Sequence, residues 1–128
     1  MQQALAPNKA AVRAYFERFA DMTVADEIFG PAVQFHYPLG DLNGVAAVKS
    51  YLMAVRKAFP DIRFIIEDIF GEGELVATRW TLVGTQTGEL RGRPPTGNSV
   101  TVPGNTIFRL RERKIVEMWV AFDPARLF

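Results

Sequence analysis

The chain reads as an α+β domain in which helices come first and a run of antiparallel strands follows. Apolar residues recur at helical spacing up to about residue 59, and from residue 62 the pattern turns to period two with β-branched and aromatic residues enriched. Helices gathered ahead of consecutive strands predict helices packed on one face of a bent sheet. At 128 residues, 48% hydrophobic and with ten Phe, the chain has material for one core or for lining a cavity, and little room for a second domain. Residues 1–128 are therefore read as one domain.

The elements follow in order. Residues 8–21 form an amphipathic helix with Asn8 as N-cap and Ala11, Val12, Tyr15, Phe16 and Phe19 on one stripe. A short helix follows, with Thr23 as cap, Asp26 three residues later in capping-box register, and a stop at Gly30-Pro31. Residues 32–37 form a short strand, and 40–44 a turn into a third helix over 44–59. Val45, Val48, Leu52, Val55 and Phe59 make that helix's apolar stripe. Strands are expected at 62–70, 74–84, 99–110 and 114–122, with tight turns at Gly71-Glu72-Gly73 and Arg111-Glu112-Arg113. Thr85 to Asn98, rich in Gly, Pro and Thr, reads as a long loop or a hairpin extension.

Composition removes several function classes. Fifteen Lys+Arg against fourteen Asp+Glu leave a formal charge of +1, with no clustered basic face of the kind nucleic acid requires. The local run Arg109, Arg111, Arg113, Lys114 is interrupted by Glu112 and falls at a turn. With no Cys and one His, disulfides, thiolate chemistry and the usual metal-ligand sets are not expected, and no cofactor or metal is implied. No stretch approaches the ~18 consecutive apolar residues of a membrane span, and the N-terminus lacks the pattern of a signal peptide. A cytoplasmic protein with no membrane partner is the expectation.

A motif series runs through the second half: Phe59-Pro60-Asp61, Glu72 to Trp80, Gly84-Thr85-Gln86-Thr87-Gly88-Glu89, Gly92-Arg93-Pro94-Pro95-Thr96-Gly97, and Lys114 to Trp119 with Asp123 beyond. In the first half stand His36-Tyr37-Pro38 and Gly44-Val45-Ala46-Ala47-Val48. Over essentially the whole chain this resembles the SnoaL-like polyketide cyclase family of the nuclear transport factor 2-like superfamily. The resemblance implies a cone-shaped, curved antiparallel sheet wrapped around helices, a cystatin-like α+β barrel. It also implies a hydrophobic small-molecule ligand and a homodimer formed through the sheet. The scaffold hosts cyclases, isomerases, epoxide hydrolases and plain binding modules, so it implies a fold more sharply than a reaction.

For the site, the resemblance implies that Asp123, after the last strand, is the acid/base of a cofactor-independent intramolecular aldol closure. Such chemistry removes a proton next to a carbonyl and later protonates an alkoxide. The competing reading is that Asp123 caps the turn before Pro124. Strand parity puts Asp123 with Glu117, Trp119 and Ala121, opposite a core face of Val116, Met118, Val120 and Phe122, so it reaches a pocket only through a bulge or the strand end. His36 matches the family's strand-end His and is the second catalytic candidate, although its parity also allows a surface position. Tyr15, Tyr37, Trp80, Gln86, Thr106, Met118 and Trp119 are the candidate pocket-lining residues. Among them Trp80 and Trp119 read first as core or dimer-interface residues.

Tyr37, Gln86 and Met118 depart from family positions that often carry Asp or His, and the loss of titratable groups favours binding over proton transfer. Tyr15 matches the oxyanion-stabilising Tyr of the related ketosteroid isomerases, while Thr106 stands where their second acid would be. The isomerase mechanism is not supported, nor is the Asp-Arg-Asp set of the epoxide hydrolases, since Thr81 follows Arg79-Trp80. The two functions left open are a cyclase-type enzyme and a non-catalytic binding or dimerisation module.

Overall fold

The computed structural model describes residues 2–127, the side chains of residues 2–4 and 22 excluded. The elements are α1 (Gln2–Glu17), α2 (Met22–Ile28), β1 (Phe29–Tyr37), β2 (Gly40–Asn43), α3 (Val45–Ala58), β3 (Arg63–Glu72), β4 (Leu75–Thr85), β5 (Ser99–Arg111), β6 (Lys114–Phe122) and a final 3-10 turn, Pro124–Arg126. The six strands make one sheet in the order β2-β1-β6-β5-β4-β3. One face carries the helices, with α1 against β3, β4 and β6 and α3 against β1 and β2.

The four long strands lie within two residues of their expected bounds, because alternating burial leaves few registers that keep the apolar side inward. Every ladder among them is antiparallel, but β1 runs parallel to β6, so the sheet is mixed. The reason lies in connectivity. β1 and β6 are not joined by a hairpin but by the helix and strands between them, which frees their relative direction. β1 also begins at Phe29, not residue 32, running on through Gly30 and Pro31. Its pairing with β6 shifts register between Phe29 and Gln34, which accommodates the amide that Pro31 lacks. The expected turn at 40–44 holds the short edge strand β2, which hairpins onto β1 through Tyr37↔Gly40.

Both early helices shift toward the N-terminus. α1 contains Pro7 and buries Asn8 inside the helix, so Asn8 is not its cap. The helix ends at Glu17, and Ala20 in the left-handed region (φ 60°) turns the chain back. Asp21, not Thr23, caps α2: its carboxylate accepts the Thr23 amide at 3.0 Å. α3 follows Gly44, whose φ of 90° few other residues adopt; it buries Val48, Leu52 and Val55, with Phe59 just beyond it, as the stripe predicts, and Ala58 besides, while Val45 is only partly buried.

Tyr15 is the hub of the core, packed edge-on against Phe16, Phe19, Phe29 and Phe108 with centroids 5.0–5.9 Å apart. That geometry sets the positive edge of one ring against the negative face of the next. No helix among the described residues is long and apolar enough to cross a membrane.

Candidate functional site

Between the helices and the inner face of the sheet lies a narrow cavity of ≈ 30 Å³. Its walls come from α1 (Tyr15, Phe16), α3 (Tyr51, Val55), the strands (Trp80, Thr106 among others) and Leu127 after the 3-10 turn. Inward parity explains the strand contributions. Val102, Gly104 and Thr106 share the buried side of β5, opposite Leu82, Trp80 and Thr78 on β4. Trp80 fits because Gly104 lies beneath it; a Cβ there would meet the indole at 2.3 Å.

The cavity is apolar except for three hydroxyls. Trp80 donates its indole N–H to Thr106 Oγ1 at 2.9 Å, and Thr78 donates to the Thr106 carbonyl at 2.9 Å. The Thr106 oxygen is thereby used as an acceptor, while its own proton has no acceptor among the described residues. Tyr15 is 6% exposed, and no described group hydrogen-bonds its hydroxyl. Tyr15 is one of the residues that line the cavity. Burial pushes the Tyr15 hydroxyl far above its ordinary pKa, with a smaller contribution from Tyr51, and burial does the same at Tyr51. Both phenols are therefore neutral donors. An apolar space with fixed hydroxyl protons suits a carbonyl oxygen and disfavours a cation.

Of the residues expected to line a pocket, Tyr15, Trp80 and Thr106 line this cavity. Tyr37 lies outside it; it packs on Phe35 and Tyr51, its hydroxyl accepts from Arg91 at 3.5 Å, and with His36 and Trp119 it borders a separate open groove of ≈ 470 Å³. Gln86 spends its amide within its own loop, donating to the Gly88 and Pro94 carbonyls and accepting from Thr96. Met118 is fully buried opposite Phe35 and Phe108, in the core and not in the cavity wall. Trp119 lies on the outer sheet face, 36% exposed, as its parity predicts.

The two catalytic candidates are outside the lining as well. Asp123 is exposed, and its carboxylate accepts the Ala125 amide at 3.0 Å, capping the 3-10 turn. No bulge turns it inward; the irregularity in β6 lies at the other end, between Ile115 and Glu117. Even so, it sits on the segment whose Phe122 and Leu127 line the cavity.

His36 is on the outer face. The strand registers set it beside Asp41 of β2 and Trp119 of β6. It donates Nδ1–H to Asp41 at 2.9 Å and Nε2–H to Glu117 at 2.7 Å, with its ring stacked on Trp119 at 5.9 Å. Two carboxylate acceptors require a proton on both ring nitrogens, so the imidazole is held as a cation. The Glu117 and Asp41 hydrogen bonds raise its pKa above the usual 6.5. This cluster ties three strands together.

Tyr51, Phe35 and Leu127 are cavity residues that the sequence reading passed over. Tyr51 had a usable signal, an aromatic three residues after Val48 and four before Val55 on the flank of an apolar stripe.

A candidate SnoaL-like polyketide cyclase from Jannaschia sp. CCS1 superposes with a TM-score of 0.87 at 23% identity, over 94% of this chain and 88% of that one. IdmH, a candidate polyketide cyclase from Streptomyces antibioticus, gives 0.81 at 27% identity over 94% of each chain. AclR, a candidate hydroxylase from Streptomyces galilaeus, gives 0.82 at 26%, over 96% of this chain and 79% of that one. The curved mixed sheet and its helices are the nuclear transport factor 2-like α+β fold. No curated protein sequence matches the chain. The profile of the SnoaL-like polyketide cyclases matches residues 9–128, and by that match, in agreement with the fold, the chain belongs to the SnoaL-like polyketide cyclase family.

Proposed function

We propose that this chain binds a small hydrophobic carbonyl compound in the cavity and polarises its C=O through the hydroxyl protons of Tyr15 and Thr106. The observation that carries the reading is the pairing of two unspent hydroxyl protons with walls that are otherwise aromatic and aliphatic. Donors fixed before the ligand arrives stabilise negative charge developing on the oxygen more effectively than mobile water does. This is the activating half of aldol chemistry, consistent with membership of a cyclase family. At ≈ 30 Å³ the cavity holds about two water molecules, so a ring-sized ligand displaces side chains at its rim.

The second reading is complete intramolecular aldol closure, with Asp123 taking the α-proton and returning it to the new alkoxide. It is favoured by the position of Asp123 between Phe122 and Leu127, on a turn of three residues held to it by one side-chain hydrogen bond. Exchange of the methyl protons of acetophenone in D₂O, followed by NMR, separates the two. Under the first reading the protein binds acetophenone, seen as a shift of the Trp80 indole proton, and Tyr15→Phe weakens that binding. Exchange faster than buffer that disappears in Asp123→Asn, a change that preserves the cap acceptor, establishes the second. No shift at Trp80 refutes both.

A further inference from the structure

Among the described residues, β3 is the only strand other than the short β2 in which none is fully buried. It is also the last strand of the sheet, so one of its long sides has no ladder. On the outer face Ile65 and Phe70 are 42% and 63% exposed, and on the inner face Phe64, Ile66 and Ile69 are covered only in part. The free N–H and C=O groups of such an edge accept another strand unless something guards them. Here a bulge falls between Ile66 and Asp68, and a charge stands at either end, Arg63 and Glu72. Both end charges are exposed, and neither has an ion-pair or hydrogen-bond partner among the described residues.

The bulge makes this edge match itself. A regular strand puts residues nine apart on opposite faces. Because Glu67 is extra, Arg63 and Ile65 share the outer face with Phe70 and Glu72, while Phe64, Ile66, Ile69 and Gly71 face inward. Two copies laid antiparallel with Arg63 against Glu72 therefore set every pair on one face. Ile65 meets Phe70, Ile66 meets Ile69, and the Phe64 ring covers Gly71, which has no side chain of its own.

The backbone agrees with that register. The two-residue loop Gly73-Glu74 makes Glu72 and Leu75 a hydrogen-bonded pair, so Gly71 and Ile69 turn their N–H and C=O to the free edge. Glu67 and Asp68 stand together opposite Arg79, which leaves Ile66 and Phe64 aimed the same way beyond the bulge.

We infer that β3 pairs with β3 of a second copy of this chain, about a two-fold axis through the bulge, so that two sheets become one. The contact closes on itself, since it uses both long edges and leaves only the four-residue β2 at either end. The carboxylates nearest the axis are engaged before the second copy arrives: Arg79 donates to Asp68 at 2.7 Å and Thr81 to Glu67 at 2.8 Å. One strand pair is a small interface, which places the dissociation constant on the order of 10–100 μM.

Sedimentation velocity from about 1 μM to about 1 mM brackets that range. The native chain should pass from monomer to dimer and stop there. Arg63→Glu and Glu72→Arg should each weaken self-association about tenfold, since each sets like charges together twice per dimer. Mixed together, these two variants should form a heterodimer about as tight as the native pair, because both end pairs are then complementary. The amides of Phe64, Ile66, Ile69 and Gly71 should exchange with solvent more slowly at the higher concentration. Ile107→Lys, exposed on the outer face away from β3, should leave association unchanged. A chain that stays monomeric, growth beyond the dimer, or failure of the mixture to associate overturns the edge pairing. So does association that is lost in Ile107→Lys and kept in both charge variants, which would put the contact on the face of the sheet.

Discussion

Gly104→Ala tests the floor of the cavity directly. A Cβ at this position falls 2.3 and 2.4 Å from two carbons of the Trp80 six-membered ring and 2.9 Å from the Ala121 carbonyl oxygen. Ordinary carbon contact begins near 3.5 Å, so the indole must retreat by about 1.2 Å. The space available is the cavity of ≈ 30 Å³ above it, and retreat strains the 2.9 Å bond from Trp80 to Thr106. Overpacking of this kind costs about 1–3 kcal/mol, and a weakened buried hydrogen bond adds about 1. We expect a loss of about 2–4 kcal/mol in urea melts, which for a chain of this length lowers Tm by roughly 6–20 °C. Trp80→Phe deletes the ring atoms that clash. In that background Gly104→Ala should cost about 1 kcal/mol, the remainder reflecting the approach to the Ala121 carbonyl, so the double-mutant cycle should show coupling well above ~0.5 kcal/mol. Equal costs in the two backgrounds would refute the stacking of Trp80 on Gly104 and, with it, the derived shape of the cavity.

Two further outcomes follow from the surface and the loop. The folded pKa of His36 is raised, so its stabilisation is fully present below the unfolded value of 6.5 and is lost as pH rises through the higher folded value. The Tm advantage of the native protein over His36→Gln should therefore shrink above pH 6.5, and an imidazole midpoint at or below 6.5 by NMR would contradict the Asp41–His36–Glu117 cluster. Gly88→Ala should lift the 86–93 segment from α3, because the new methyl meets the Lys57 carbonyl. Trypsin should then cut after Arg91 faster than in the native protein; unchanged cleavage would mean that the loop is not seated through Gly88.

The helices, the four long strands and the α+β order were legible because local periodicity records which side of each element is buried. The errors lie where a local signal had more than one use. Asn8 reads as a cap, yet α1 runs through it, and Thr23 reads as a cap, yet Asp21 two residues earlier takes that part. Gly40 to Asn43 reads as a turn, yet it pairs as an edge strand because β1 offers it a partner. The site was legible only in part. Strand parity put Trp119 outside, set Met118 on the core face where it is buried, and left His36 and Asp123 outside or at an end, but could not reveal that Gln86 binds its own loop.

By itself the sequence determined the class of fold, the family and the apolar character of the interior. Side-chain periodicity and composition are properties of the chain that no partner has to complete. Only the tertiary structure decided where the polar groups are spent. His36 meets its carboxylates across three strands, Thr106 accepts from an indole on the neighbouring strand, and Tyr51 reaches the cavity from a helix flank. A hydrogen bond has two ends, and whether a hydroxyl or carboxylate is left for a ligand depends on which distant residues arrive beside it.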